Sequence, residues 1–252
     1  MHIGSTAAIV TGGASGLGAA TVEALAARGV TVFALDLPDS LGNAPACEGV
    51  HHIPTDVTDP AQVRAAVATA ASSGVPLRTV VNCAGIAPSM RVLGKRGPHD
   101  LELFAKVVQV NLVGTFHVLT LASQAIAETA ADEQGQRGVI VNTASIAAYE
   151  GQIGQAAYAS SKGGVVGLTL PAARDLAQYG IRVCAIAPGI VETPMLATVS
   201  EEFRTQLAAG VPFPRRLARP DEYAQLVLSI VDHDYLNGET IRMDGALRMS
   251  PR

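Results

Sequence analysis

Tyr158 and Lys162 lie four residues apart in a stretch with helical periodicity, so a helix would place both side chains on one face. A free phenol titrates at about 10, which makes it a poor base at neutral pH, but a nearby ammonium group lowers that value. The pair therefore predicts proton transfer to or from a substrate oxygen. A Tyr-x-x-x-Lys pair is also common on a solvated helix face, and that alternative stays open.

Two further polar residues would complete such a site. Ser145 follows the β-branched run Val139–Asn142, and a hydroxyl at the end of a strand can hold and polarise a carbonyl group. Asn111 lies in a long apolar helical stretch, where Asn has poor propensity. It is either a buried structural residue or a link that holds water in a proton relay. Gln152 follows Ser145 closely and is a candidate contact for the acyl or carbonyl end of a substrate.

A glycine-rich turn, Thr11–Gly18, joins the first predicted strand to a helix with the spacing G-x-x-x-G-x-G. Such a turn brings backbone N–H groups and a helix N-terminus close to a pyrophosphate. It can also be a plain connection between a strand and a helix. Its place in the first βα unit favours a dinucleotide site, with the following predicted contacts: Gly12, Ser15, Gly16, Leu17 and Gly18.

Asp36 ends the second predicted strand, 18 residues after Gly18. A carboxylate at this position can accept hydrogen bonds from both ribose hydroxyls and repels a 2′-phosphate. No Arg stands beside Asp36 or at Ala14-Ser15 to bind that phosphate. These residues favour NAD over NADP, while a solvated Asp at the end of a strand is the alternative.

Polar or small residues also follow the third and fourth predicted strands. The carboxyl ends of parallel strands are where open α/β sheets bind ligands. Taken singly, each of these residues is as consistent with turn formation as with a ligand contact. The predicted cofactor contacts at these two strand ends are Asp56, Val57, Asn82, Ala84 and Gly85.

The elements that must position these residues alternate along the whole chain. The predicted strands are Ala7–Val10, Thr31–Leu35, Val50–Pro54, Thr79–Asn82, Val139–Asn142, Arg182–Ile186 and Thr240–Arg242. The predicted helices are Gly18–Arg28, Pro60–Ser73, Asp100–Thr129, Ala156–Gln178 and Pro220–Val231. This alternation predicts an α/β fold, a doubly wound parallel sheet of the Rossmann type with helices on both faces, in a single domain over residues 1–252.

Three stretches interrupt the alternation. Ala87–His99 contains Pro and Gly residues that disfavour both helix and strand, and Ala131–Gly138 is polar. Ile190–Pro214 is apolar and Pro-punctuated, and we expect a short helix near Ser200–Ala209. Because long irregular segments in compact domains are often functional, this last stretch is the predicted substrate lid.

Composition excludes several classes of protein. The chain has 252 residues, 48% of them hydrophobic and 16% charged, and a net charge of −4, which offers no general attraction to nucleic acid or an anionic membrane. The N-terminus runs directly into a strand and no apolar run of about 18 residues appears, so we expect neither a signal peptide nor a membrane span. The cysteines Cys47, Cys83 and Cys184 fit neither a disulfide framework nor a metal site. We expect reduced core thiols in a cytoplasmic protein without a metal.

Taken in order, these motifs resemble the short-chain dehydrogenase/reductase family over essentially the whole chain. Thr11–Gly18 matches the TGxxxGxG turn, and Asn82–Gly85 matches the NNAG element with Cys in second position. The residues that match the family's catalytic tetrad are Asn111, Ser145, Tyr158 and Lys162. The residues that match its PG motif and following threonine, expected to meet the nicotinamide, are Pro188, Gly189 and Thr193. The resemblance implies Tyr as general acid/base, Lys on the ribose, Ser on the carbonyl, and hydride transfer at nicotinamide C4.

Other stretches resemble one branch of that family, the type-2 3-hydroxyacyl-CoA dehydrogenases, also known as type-10 17β-hydroxysteroid dehydrogenases. These stretches are Leu35–Pro38, Gly135–Ser145, Glu150–Ala157, Thr169–Leu176, Val211–Pro214 and Leu236–Met249. The resemblance implies NAD, a homotetramer, and oxidation of L-3-hydroxyacyl-CoA with some activity on steroids. A hydroxysteroid or other secondary-alcohol dehydrogenase is the alternative, and a non-catalytic scaffold subunit is a third.

The substrate side departs from that branch in the loop Ala87–His99. Its cations Arg91, Lys95 and Arg96 suit the phosphates of CoA, although an ordinary solvated loop explains them equally well. The apolar residues predicted to cover an acyl chain or a steroid, or else simply to pack, are Met195, Leu196, Phe203, Leu207 and Phe213. For the tetramer, we expect contacts through Asp100–Thr129, Ala156–Gln178 and Gly245–Arg252.

Overall fold

A computed structural model describes residues 1, 3–42, 44, 47–95, 97–196 and 200–251, apart from the side chains of Met195 and Phe203. The predicted contacts of Arg96, Met195, Phe203 and Arg252 therefore lie outside the described residues.

The strands are β1 (Ala7–Thr11), β2 (Thr31–Asp36), β3 (Val50–Pro54), β4 (Leu77–Asn82), β5 (Leu93–Gly94), β6 (Gly97–Pro98), β7 (Gly138–Thr143), β8 (Ile181–Pro188) and β9 (Thr240–Met243). The α-helices are α1 (Gly16–Ala26), α2 (Pro38–Leu41), α3 (Pro60–Ala71), α4 (Leu101–Val108), α5 (Thr115–Ala127), α6 (Ala156–Ala177), α7 (Glu201–Ala209) and α8 (Pro220–Asp232).

Seven of the strands form one parallel sheet in the order β3-β2-β1-β4-β7-β8-β9. The order reverses direction between β1 and β4, which is the point where doubly wound sheets bind ligands. Every residue of β1, β7 and β8 is buried, as expected for strands covered on both faces. The predicted Rossmann-type fold is confirmed.

Helices cover the two faces of the sheet. On one face, α1 and α8 pack against each other and contribute Val22, Leu25, Tyr223 and Val227 to a core cluster. On the other face, α3, α5 and α6 build the second cluster. Because α6 and α8 lie on opposite faces, the ends of the central strands are held from both sides.

The helix predicted over Asp100–Thr129 is interrupted. A π-helical segment, Gln109–Gly114, separates α4 from α5 and contains the fully buried Asn111. At its end Gly114 lies against the loop after β3, where a Cβ atom would come within 2.7 Å of a Val57 methyl group. Single π-turns of this kind concentrate at functional sites.

By length and composition alone, Leu101–Ala127 would suffice to cross a membrane, but core helices of globular proteins pass the same test. Here Val118, Leu119, Ala122 and Ile126 are buried in the sheet-facing core. About one third of the most apolar window, 33%, is buried within the chain. The remaining apolar surface of this helix faces outward.

Two expectations about irregular or core residues, those for the loop Ala87–His99 and for Cys47, were wrong. The loop Ala87–His99 is not free of strands, because β5 and β6 pair as a short antiparallel hairpin, and Gly97, with φ of +117°, adopts the backbone that its turn needs. Phe213 is 81% exposed, so it is not packed in the core, and its place in the lid stays a prediction. Cys47, expected in the core, is also exposed, whereas Cys184 is buried and Cys83 partly so. The expected short helix in the Ile190–Pro214 stretch is confirmed as α7.

Candidate active site

The ends of β1 and β4 are bound to each other beside the glycine-rich turn. The Thr11 hydroxyl accepts hydrogen bonds from the backbone N–H groups of Cys83 and Ala84, both at 3.1 Å. Gly12 has a φ of +65°, and a Cβ there would lie 2.9 Å from the Ala84 nitrogen. Only glycine permits this close approach, which brings Gly12 and Ala84 together, and their contacts with a cofactor stay predictions.

The start of α1 is equally restricted. A Cβ on Gly18 would lie 2.0 Å from the Gly12 carbonyl oxygen, which no side chain could accommodate. Ser15 occupies the N-cap position of α1 with an extended backbone. Its exposed side chain makes no hydrogen bond to the first turn of the helix within the described residues. Backbone N–H groups at Gly16 and Leu17 thus begin the helix at the edge of the cleft, in the arrangement that binds a pyrophosphate.

Asp36 lies at the end of β2, next to the turn. Its two carboxylate oxygens accept hydrogen bonds from the N–H groups of Ala14 at 3.0 Å and Leu37 at 2.8 Å. A carboxylate has about four acceptor positions, so it can still receive ribose hydroxyls. The contact with Ala14 joins the predicted ribose-binding residue directly to the predicted pyrophosphate turn.

The loop after β3 uses its polar groups internally. Asp56 Oδ1 accepts from the N–H and the hydroxyl of Thr58, at 2.8 and 2.7 Å. Val57 is 8% exposed and packs on Gly114, and its carbonyl oxygen lies 3.0 Å from His117 Nδ1. These contacts hold the loop against α5. Contacts of Asp56 and Val57 with a cofactor stay predictions.

Asn82 lies within the sheet. Its side chain is buried and donates to Asn142 Oδ1 at 2.9 Å, on the neighbouring strand β7. The side chain therefore joins β4 to β7, and a direct contact of Asn82 with a cofactor stays a prediction. Gly85, three residues later, lies in the cleft, where a Cβ would be 3.2 Å from Asn111 Oδ1 and 3.6 Å from Lys162 Nζ.

Tyr158 and Ser145 meet at the carboxyl edge of the sheet. Tyr158 is in the first turn of α6, and Ser145 begins a 3-10 turn directly after β7. Ser145 is close enough to Tyr158 for its hydroxyl to lower the pKa of the phenol, and Ser145 Oγ accepts the N–H of Ala147 at 3.1 Å. The Tyr158 side chain is partly exposed to the cleft, as a group that must reach a substrate requires.

The pKa of Tyr158 is raised above its ordinary value because its hydroxyl is buried, an effect that the hydrogen bond from Ser145 opposes. The expected lowering of this pKa below its ordinary value is not observed, because burial has the largest influence on the phenol. Lys162 Nζ lies 5.8 Å from the centroid of the Tyr158 ring and donates instead to the Thr143 carbonyl oxygen at 2.7 Å. The phenol is thus protonated at neutral pH, the form that can donate a proton to a carbonyl oxygen.

Lys162 is buried below Tyr158, and burial lowers its pKa from the ordinary value to about 8, with the neighbouring Cys83 opposing the change. Near neutral pH the ammonium form still predominates. Strongly perturbed titrating groups in a cleft are typical of active sites.

The Asn111 side chain makes three hydrogen bonds within the chain. Its Oδ1 accepts the N–H of Ile86 at 2.8 Å, and its Nδ2 donates to the Ile86 carbonyl at 2.9 Å and to Ser161 Oγ at 3.0 Å. The side chain thus binds the π-helix to the loop after β4 and to α6. This is the structural alternative stated for Asn111, and its role in a proton relay stays a prediction.

The residues after β8 lie on the other side of the cleft. Thr193 packs over the glycine-rich turn, with its methyl carbon 3.4 Å from where a Gly16 Cβ would be. Gly189 allows the chain to pass β9, since a Cβ would lie 3.0 Å from the Asp244 Cα. Pro188 is the last, buried residue of β8. Thr193 is therefore close to the predicted pyrophosphate turn, whereas Pro188 and Gly189 form the support behind it.

Gln152 is directed to the C-terminal segment. Its side-chain amide donates to the Ser250 carbonyl oxygen at 3.0 Å, and its backbone N–H donates to Gln155 Oε1 at 3.0 Å. The next residue, Ile153, donates its N–H to the Pro251 carbonyl. The contact of Gln152 with substrate stays a prediction, and the structure gives this residue a role in holding the loop.

A cavity of about 420 Å³ opens beside the start of α6. Its walls come from the segment Arg91–Leu93 and from the loop Gly151–Ala156, with Ala159 behind them. The two walls are joined by a hydrogen bond of 2.8 Å from the Met90 N–H to the Gly154 carbonyl oxygen. Two residues of the cavity wall, Ala156 and Ala159, flank Tyr158 in the sequence. One of the predicted CoA-binding cations, Arg91, also lines the cavity.

The family model described as short chain dehydrogenase matches residues 6–204. The chain belongs to this family. It is 52% identical to 3-hydroxyacyl-CoA dehydrogenase type-2 of Drosophila melanogaster, over 99% of this chain and 100% of the relative, and 51% identical to the protein of that name from Homo sapiens, over 97% and 95%. A crystal structure of 3-hydroxyacyl-CoA dehydrogenase type-2 from Mycobacterium avium superposes with a TM-score of 0.94, at 43% identity and 98% coverage of both chains.

These findings confirm the predicted family and enzyme class: the chain is an oxidoreductase of the dehydrogenase type. The structure also adds two residues that the sequence predictions did not assign a role. Thr11 binds the two strand ends together, and Thr143 provides the carbonyl oxygen for Lys162. The role of Thr11 could have been predicted, because Thr11 begins the glycine motif. Thr143 binds Lys162 through its backbone, which any residue type could do, so no sequence pattern indicates its role.

Proposed function

We propose that the chain interconverts L-3-hydroxyacyl-CoA and 3-ketoacyl-CoA with NAD(H), with Tyr158 as the general acid/base. The observation that carries the chemistry is the position of Ser145 beside Tyr158 at the carboxyl edge of the sheet, close enough for the serine hydroxyl to lower the pKa of the phenol. The names and high identity of the full-length relatives support the substrate class.

In the reduction direction, a keto oxygen would lie between the Ser145 and Tyr158 hydroxyl groups. Ser145 donates a hydrogen bond to that oxygen and stabilises the charge that develops on it. Tyr158 transfers its proton to the oxygen, and the Lys162 ammonium stabilises the phenolate that results. A bound nicotinamide supplies the hydride for the carbonyl carbon. Asn111, through its contact with Ser161 and its place beside Lys162, would hold water for returning the proton.

The residues present fit a dinucleotide. Gly12 and Gly18 form a cradle that a Cβ would fill, and the free start of α1 suits a pyrophosphate. Asp36 would bind the adenosine ribose and disfavour a 2′-phosphate. Lys162 and Thr193 would hold the nicotinamide half, with residues 190–214 as the lid.

For the acyl-CoA substrate, the cavity beside α6 provides both an apolar surface and a cation. Val92 and Leu93 are 70% and 73% exposed there, next to Arg91. Arg91 and Lys95 would bind CoA phosphates, whereas the apolar surface would also suit a steroid. Replacing both cations by Ala is expected to raise the KM for acetoacetyl-CoA several-fold and to leave the KM for a keto-steroid unchanged.

The deciding experiment measures NADH oxidation against acetoacetyl-CoA and against a keto-steroid, with NADPH as the comparison. We expect acetoacetyl-CoA and NADH to be preferred, and Tyr158→Phe to lose activity with its thermal unfolding unchanged. Faster reduction of the keto-steroid would favour the alternative function, and equal rates with NADPH would refute the role of Asp36.

A homotetramer fits the unpaired apolar surface of the helices. Exposed apolar residues lie on the two helices predicted to pair between subunits: Leu101, Phe104, Phe116 and Leu170. Sedimentation velocity tests this assembly, and a monomer would refute it. A cytoplasmic location stays a prediction that cell fractionation tests.

A further inference from the structure

Behind Lys162, on the opposite face of the sheet, lies a buried hydrogen-bonded cluster that the proposed mechanism does not use. It consists of Thr143 at the end of β7, Tyr223 on α8 and Cys83 after β4. Tyr223 is 0% exposed, and α8 packs on the face of the sheet opposite α6. A phenol hydroxyl in such a place requires a partner, and its partner is the residue that holds Lys162.

The directions of the hydrogen bonds follow from the geometry. The Thr143 hydroxyl lies 2.6 Å from the Asn82 carbonyl oxygen, which can only accept, so the single hydrogen of Thr143 is used there. The Tyr223 hydroxyl lies 2.7 Å from the same Thr143 oxygen and must therefore donate to it. Cys83 Sγ, 3.7 Å from the Tyr223 oxygen, is placed to donate to Tyr223 in turn.

Thr143 is thus held through its side chain from one face of the sheet while its carbonyl oxygen receives Lys162 from the other. We propose that Tyr223 is a positioning residue for Lys162, which acts by fixing Thr143 and hence the oxygen that receives the ammonium group. The proposal extends the assignment of Lys162 in the proposed function and rests on it for its effect on catalysis.

A purely structural role would also explain a buried tyrosine, but it predicts different consequences. If Tyr223 only fills space, removing its hydroxyl affects the stability of the fold and leaves Lys162 unchanged. If it positions Lys162, the ammonium loses part of its stabilisation and its pKa falls. The titratable groups next to the Lys162 ammonium are Tyr158 on its own helix and Cys83 after β4, and Tyr223 lies one hydrogen bond further away. Asn111, on the π-helix, is also close but has no titratable group.

The chain offers a direct measurement that needs no substrate. It has only three lysines, Lys95, Lys106 and Lys162, so NMR of protein labelled with ¹³C-lysine gives three titration curves. Lys162 is identified by the signal that Lys162→Met removes. In Tyr223→Phe we expect the midpoint of Lys162 to fall by about half a pH unit, because the ammonium is less well hydrogen-bonded, while Lys95 and Lys106 do not change.

Kinetics give the second measurement. Loss of one neutral hydrogen bond corresponds to a roughly three- to tenfold change, so we expect kcat of Tyr223→Phe to fall by that factor with little change in the substrate KM. The acidic limb of the pH profile for alcohol oxidation should move to higher pH, since Tyr158 loses part of its support from Lys162.

Two controls separate positioning from folding. Val227→Ala removes buried volume one turn further along α8, so we expect a lower Tm with an unchanged Lys162 midpoint. Thr143→Val should resemble Tyr223→Phe, and the double variant should be no worse than Thr143→Val alone, whereas Thr143→Ser should recover most of the lost midpoint.

An unchanged Lys162 titration curve in folded Tyr223→Phe would overturn the proposal, as would additive effects in the double variant. If the wild type does not act on acetoacetyl-CoA, the proposed substrate is wrong, but the titration still tests the position of Lys162. The two failures are therefore distinguishable.

Discussion

The two halves of the cleft are built by different means. On the nucleotide half, the turn after β1 is fixed by backbone contacts: Gly12 lies against Ala84, and Gly18 lies against Gly12. On the substrate half, the loop Gly151–Ala156 is fixed by side-chain and backbone hydrogen bonds to distant segments, among them the bond from Gln152 to Ser250, almost 100 residues away. The first half leaves the glycine motif Thr11–Gly18 in the sequence. The long-range bond of the second half leaves no motif, although Gly154, with a φ of +92°, is also constrained there.

A cluster of charges stabilises the substrate half. Arg242 on β9 donates two hydrogen bonds of 2.8 Å to Glu150 and one of 2.7 Å to Asp244, and its guanidinium lies 5.1 Å from the centroid of the Tyr149 ring. The hydrogen bonds from Arg242 also lower the pKa of Glu150. The loop before α6 is therefore held against β9 and the C-terminal segment. Substitutions in this loop should therefore alter the shape of the cavity, and the substrate KM, gradually. Substitutions at the tight glycines of the nucleotide half should instead abolish cofactor binding.

The largest effect is expected at Gly18. Gly18→Ala places a methyl group 2.0 Å from the Gly12 carbonyl oxygen, so the turn must open and α1 must move. We expect NADH binding, measured by fluorescence titration, to weaken more than about 100-fold, because the helix N-terminus no longer meets the pyrophosphate.

Gly42→Ala is the matched control. Gly42 is exposed at the end of α2 with a φ of −59°, and a Cβ there would meet its closest atom at 3.9 Å. NADH affinity and Tm should both stay within error of the wild type. Tight NADH binding by Gly18→Ala would show that the nucleotide half is less rigid than this comparison holds.

This contrast also explains what could be predicted from the sequence. The order of strands and helices and the nucleotide half were predictable, because alternating apolar runs and glycines at tight contacts are direct consequences of the backbone geometry. The β5–β6 hairpin was not predictable, since two-residue strands leave no periodic pattern. The role of Gln152 was not predictable either, because its partner Ser250 is close only after the sheet has formed.

The catalytic residues lie between these cases. Tyr158, Lys162 and Ser145 were identifiable by type and spacing, but their protonation behaviour was not. Burial raises the pKa of Tyr158 and lowers that of Lys162, and burial depends on packing from both faces of the sheet. Spacing on a helix therefore predicts which groups share a face, but not how much water surrounds them.

An intermediate effect is expected for Lys162→Met, which should lose activity about 100-fold but gain stability. The pKa of Lys162 is about 8 in the folded protein and ordinarily 10.5, so folding disfavours its charged form. Below pH 8 the lysine is charged in both states and the whole cost, up to about 3 kcal/mol, is present. Between pH 8 and 10.5 the folded state releases its proton first, and the cost disappears.

The Tm of Lys162→Met should therefore exceed that of the wild type by several degrees at pH 7, with a smaller difference at pH 9.5. Lys106→Met, at an exposed position on α4, should show no such pH-dependent difference. A variant less stable than the wild type at pH 7 would mean that the bond to Thr143 outweighs the cost of burial.

The smallest effect is expected for Gln152→Ala. Its amide binds the Ser250 carbonyl, and the loop keeps the separate hydrogen bond from the Ile153 N–H to Pro251. We expect the substrate KM to change less than about threefold, the size of one exposed neutral hydrogen bond. Arg242→Met should raise the KM further and lower the Tm, because it leaves Glu150 with the longer ion pair to Arg248, at 3.6 Å, in place of two hydrogen bonds from Arg242. A KM increase above tenfold in Gln152→Ala, with unchanged Tm, would instead show that Gln152 contacts the substrate and that this half of the cleft rearranges around it.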